Sequence, residues 1–221
     1  VSEEQRRADL KRVASLQQNE LESDEEAIET WMAIREEFGD DPEVLVALDG
    51  LLSAAERPKD LAEMLDGAVK RERGQVATRL VRLGDVLREE LDGSPDAVAL
   101  YRQALELNPA DEAARAGARA LLEDPLCARD AAEALWRAHA RQNETEEQLE
   151  LVEARLATMT SPLERAALLA EASSMHEQTG DAAGALDMLG RAVATDPTQR
   201  AWHGPLERLA AEAGNWEQAA K

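Results

Sequence analysis

The sequence predicts an all-α protein assembled from repeated antiparallel helix pairs, and three observations predict it. The composition is 44% hydrophobic with only 3% aromatic residues. Such a core of alanine and leucine lets helices approach closely and gives a sheet little of the β-branched and aromatic material it favours. Three segments of the chain align with one another, and helix start and stop signals recur between them. No segment alternates apolar and polar residues as a half-buried strand would.

The aligned segments are 27–42 (AIETWMAIREEFGDDP), 97–109 (AVALYRQALELNP) and 185–197 (ALDMLGRAVATDP). In the second and third, Ala97 and Ala185 lead, Tyr101 and Leu189 stand fifth, Ala104 and Ala192 eighth, and Pro109 and Pro197 close the segment. The first agrees through Ala27, Trp31 and Ile34 and carries three extra residues before Pro42. Apolar positions spaced by four and three residues describe one stripe along a helix.

A second helix precedes each segment. Thirteen residues before each leading alanine stand Ala14, Gly84 and Ala172. Around Gly84 the order Leu80-x-x-Leu83-Gly84-x-x-Leu87 places a small residue between large ones, which suits close antiparallel packing. Leu168, Ala172 and Met175 repeat that pattern, and Leu10, Val13 and Ala14 repeat it less well. With Ala97, Tyr101, Ala104 and Pro109, this unit resembles the tetratricopeptide repeat, although Leu80 and Leu87 replace that family's aromatic residues and one residue is inserted between the helices.

The resemblance implies a right-handed superhelical α-solenoid of about a dozen helices forming one repeat domain over 1–221. Clear units lie near 10–42, 76–109 and 164–197, with degenerate helices at 43–73, 110–158 and 198–221. Ala27 and Ala97 are 70 residues apart, close to two family periods of about 34. A degenerate pair is therefore expected at Pro42–Ala55 and Pro58–Arg71. Ala97 and Ala185 are 88 apart, which leaves room for one additional helix at Pro125–Arg141. Asn215-Trp216 would open a helix that stops before completing its pair, as in a piece of a longer array. The alternation of clear and degenerate units, with arginine preferred over lysine, resembles long bacterial repeat arrays.

Boundary residues support the helices. Ser161-Pro162-Leu163-Glu164 reads as a capping box with proline at the first helical position. Ser23 with Glu26 and Asn143 with Glu146 share the cap spacing. Asp41-Pro42, Ser94-Pro95, Asp124-Pro125 and Asp196-Pro197 read as cap-plus-proline starts. Gly39, Gly93, Gly180 and Gly214 fall where helices should end.

The formal net charge is −21, from 46 acidic and 25 basic residues. It disfavours nucleic acid and anionic membrane surfaces as partners. Residues 1–60 hold 17 acidic and 7 basic side chains, which reads as a solvated helical surface or, as the sharper alternative, as an acidic face that attracts a basic segment of a partner. Cys127 is the only cysteine, which excludes an intrachain disulfide and a thiolate zinc site; it reads as a small helical core residue. No stretch approaches the length of a membrane span, and residues 1–18 are too polar for a signal peptide. A cytoplasmic protein is the default, with a removed export signal as the alternative.

No catalytic, metal or cofactor signature emerges. His139, His176 and His203 are scattered without HExxH spacing, and neither GxxxxGK nor GxGxxG occurs. Asp40-Asp41-Pro42-Glu43 lacks the ligand pattern of a calcium loop. Trp31 and Trp136 sit on apolar stripes as core residues, whereas Trp202 and Trp216 lie near the C-terminal end. Function is expected from binding. By position in the tetratricopeptide family, the groove-facing residues are Thr78, Val81, Asp85, Arg88 and Glu89, followed by Leu169, Ser173, His176 and Glu177. Asp85 and Ser173 stand where that family's carboxylate clamp needs Asn, which disfavours binding of a chaperone C-terminus. The expected role is a non-catalytic scaffold holding a protein or peptide, with a self-associating homo-oligomer or the regulatory region of a larger protein as alternatives.

Overall fold

The computed structural model describes residues 2–71 and 76–213. The first helices are α1 (Glu3–Asn19), α2 (Asp24–Phe38), α3 (Pro42–Ala54), α4 (Pro58–Arg71), α5 (Val76–Glu90) and α6 (Ser94–Leu107). They are followed by α7 (Glu112–Ala120), α8 (Ala128–Gln142), α9 (Thr145–Glu150), α10 (Val152–Thr158), α11 (Pro162–Thr179), α12 (Ala182–Thr195) and α13 (His203–Ala213). A 3-10 turn covers Arg200–Trp202, and no strand occurs among the described residues. The chain divides into two compact units, Val1–Leu100 and Tyr101–Lys221.

In the first unit, α1 packs on α2, α2 on α3, α3 on α4 and α4 on α5. Each helix needs this neighbour because its apolar residues form one stripe. On α4 the buried positions are Leu61, Met64, Leu65 and Ala68, spaced as one helical face. Trp31, Ile34, Leu48, Leu52, Leu61 and Met64 make the large core contacts. Each such side chain contributes about 1.5–3 kcal/mol by leaving water. Ala14, Ala27 and Ala68 are fully buried between them. α3 begins where the sequence placed it, with Asp41 accepting the Glu43 N–H at 2.9 Å and Pro42 in the first turn.

A left-handed residue stands two positions before the second helix of successive pairs. Glu22, Glu56 and Asp92 have φ of 50°, 52° and 52°, just ahead of α2, α4 and α6. Glu22 and Glu56 are 34 residues apart, and Glu56 and Asp92 are 36 apart. Asn143 and Gly180 hold the same place before α9 and α12. Asp92 and Asn143 are 51 apart, the interval that accommodates α7. The turn bonds close over five and six residues: the Arg57 N–H reaches the Leu52 carbonyl at 2.9 Å, and the Gly93 N–H reaches the Leu87 carbonyl at 2.8 Å. They satisfy carbonyls that the helix ends leave open.

Several expected caps differ. The Ser23 side chain makes no cap bond, and its hydroxyl donates instead to the Leu21 carbonyl at 3.3 Å. Asn143 ends α8 in the left-handed conformation, so Glu144 takes the cap position of α9. Ser94 already lies inside α6, because the Gly93 carbonyl accepts the Ala97 N–H at 3.0 Å. Asp92, not Gly93, supplies the positive φ. The helix expected from Pro125 begins at Ala128: Asp124 folds a turn by accepting the Leu126 N–H at 2.9 Å. Cys127 consequently occupies the cap position, fully buried. Asp196 ends α12 and accepts from the Thr198 hydroxyl at 2.6 Å, and α13 starts only at His203. Gly39 and Gly180 do end helices with positive φ, and Ser161 caps α11. Gly214, Asn215 and Trp216 lie outside the described residues. Trp31 and Trp136 are core residues as expected.

In the second unit, α8 packs on α7, α9 and α10, and α11 on α10 and α12. The Tyr101 ring lies against Gly117 of α7 so closely that a Cβ there would stand 2.4 Å from ring carbons. A buried polar cluster joins α7 to the α8–α9 turn. The Arg115 side chain, 8% exposed, donates to the Pro109 carbonyl at 2.7 Å and lies 2.8 Å from the Glu144 carboxylate. His139, 2% exposed, meets the same carboxylate through Nδ1 at 2.6 Å. Its Nε2 is buried with no partner. That pattern assigns the imidazole proton to Nδ1, since a bare Nε2 lone pair is cheaper to bury than an N–H without an acceptor. The bond from His139 holds the Glu144 carboxyl below its ordinary range, and Arg115 reinforces it against the opposing effect of burial.

Two consequences are measurable by urea unfolding. Gly117→Ala should destabilise the chain by about 1–3 kcal/mol from overpacking, despite alanine's gain in helix propensity of about 1 kcal/mol. Glu144→Ala should cost about 3 kcal/mol at neutral pH by leaving Arg115 buried and uncompensated. Because the folded-state pKa of Glu144 is depressed, its contribution is present above the unfolded value of about 4.3 and is lost as pH falls through the folded one. The gap between wild type and Glu144→Ala should therefore close in acid.

Candidate functional site

The sequence-derived site residues fall in two groups, one in each compact unit. On α5, Thr78 and Glu89 are exposed, and Asp85 and Arg88 are half-buried. Arg88 lies 2.6 Å from Glu89 and 3.6 Å from Asp85, so these three form one charged cluster. Val81 is buried at 6% exposure. On α11, Leu169 and Ser173 are buried at 3% and 2% exposure, and the Ser173 hydroxyl donates to the Ala185 carbonyl at 2.8 Å. Val81, Leu169 and Ser173 thus belong to helix packing and present no open surface, because they fall on the inward stripe.

His176 and Glu177 are also engaged. His176 Nδ1 lies 2.9 Å from the Asp181 carboxylate, which caps α12 by accepting the Gly184 N–H at 2.9 Å. That N–H is the main cause of the lowered Asp181 pKa, with His176 contributing. A Cβ at Gly184 would collide with both side chains, 2.3 Å from Asp181 and 2.5 Å from His176. Glu177 meets Arg208 of α13 at 2.5 Å. Both side chains therefore help to hold α11 against its neighbours.

Open grooves occur elsewhere. In the first unit a groove of about 520 Å³ runs between α1 and α3. Ser15 and Gln18 form one wall and Val46, Ala47 and Gly50 the other, with Trp31 between. Val46 is 74% exposed. At one end Lys11 bridges Asp41 and Glu43, 2.6 Å from each, and Arg7 also pairs with Asp41. Burial opposes the charge on Asp41, but hydrogen bonds from Lys11 and the Glu43 N–H keep its pKa low. Lys11 is likewise raised, its two carboxylate partners outweighing burial. Thirteen-residue offsets from recognisable alanines never reach α3, so the sequence reading missed this groove. The available signal was Val46 and Gly50 on the outer face of an otherwise apolar helix.

In the second unit a groove of about 1170 Å³ lies between the 122–126 turn, the first turns of α8, and α10. Leu126 at its edge is 81% exposed. The Arg155 guanidinium sits 4.3 Å from the Trp136 ring centroid and 2.9 Å from Glu133, which also pairs with Arg137 at 2.8 Å. This stacking holds the wall by a cation–π contact and an ion pair. Among the described residues no cluster of His, Cys, Asp and Glu could hold a metal ion, and no helix is long and apolar enough to cross a membrane.

No protein-family model matches the chain, and no curated protein does. Solved structures that align with it include a TPR repeats protein from Bacteroides fragilis, at 13% identity and TM-score 0.48, over 93% of this chain and 98% of the other. YrrB, a TPR protein with an unusual peptide-binding site, aligns at 18% identity and TM-score 0.37, over 91% and 88%. A thermophilic TPR protein from Thermus thermophilus aligns at 14% identity and TM-score 0.33, over 93% and 99%.

Burial pushes the Cys127 thiol up to about 11, aided by Asp124. At pH 8 on the order of one thiol in a thousand is then ionised. A disulfide reagent should label the native chain at least a hundredfold more slowly than the urea-unfolded chain. The helix pairs themselves define this chain as an all-α repeat array that resembles the tetratricopeptide repeat in fold.

Proposed function

We propose that the chain is a non-catalytic protein-interaction scaffold that holds a segment of a partner protein against its helices. The observation that carries this reading is the α1–α3 groove, where a 74% exposed valine faces solvent from helices whose other faces are buried in the core. A helical groove offering apolar contact and a few polar groups is a recurrent way to hold a peptide. The acidic balance of residues 1–60 favours a basic segment.

Self-association is a second reading, favoured by Val13 and Leu16 on α1, which are 45% and 40% exposed. Affinity capture on the immobilised 221-residue chain, with mass spectrometry of extracts from its native cell, tests the first reading. Discrete proteins eluting with salt are expected. A chain that captures no protein, or that light scattering shows only to bind itself, overturns it.

A further inference from the structure

We draw no further inference here: the strongest candidate, the groove of the second unit between the 122–126 turn, the first turns of α8, and α10, is lined by arginine and carboxylate side chains in equal number, and nothing in the structure shows what covers it.

Discussion

Close approach of helices through alanine is the constraint on which the rest of the structure depends. Ala14, Ala27, Ala68, Ala97, Ala104, Ala172, Ala185 and Ala192 are fully buried. Each lies where a larger side chain would push two helix axes apart. With so few aromatic side chains, the core relies on close contact and on the scattered large residues that fill the spaces left over. Where a ring does enter, as at Tyr101, a glycine on the facing helix makes room for it. Short turns follow from the same requirement, because a long connection would leave the pairing of neighbouring stripes undetermined.

Much of this order was legible in the sequence because a 3.6-residue period and proline-marked helix starts are local signals. The pair at α3 and α4 was recoverable from spacing and proline alone, although neither helix carries the repeat's recognisable residues. Turn chemistry was less legible. Glycine, asparagine and aspartate advertise a left-handed residue, as at Asp92, but Glu22 and Glu56 adopt that conformation without any such signature. Tertiary closure of the hairpins imposes it on whichever residue occupies the place. Asp124-Pro125 and Asp196-Pro197 likewise carry the chemistry of a helix start yet form turns, since an aspartate that bonds the N–H two residues on stabilises a turn as readily as a cap.

The groove-facing positions were less legible for a different reason. A family position says which face of a helix looks outward in an ideal repeat, but the neighbour decides whether that face stays open. Ser173 bonds across to α12, His176 joins the cap of that helix, and Glu177 is taken by Arg208. The open groove of the first unit instead lies between α1, which repeats the small-residue pattern less well, and α3, which does not carry it.

The ion pairs that join separate helices carry one further implication. Lys11 to Glu43, Arg57 to Glu25, Arg82 to Asp49, Arg191 to Glu153 and Arg208 to Glu177 link residues separated by 32, 32, 33, 38 and 31 positions. Each tie therefore reaches about one repeat along the chain. Stability in such a polymer is counted link by link, with little dependence on distant segments. An added helix such as α7 then disturbs only its immediate neighbours, and the remaining hairpins keep their form.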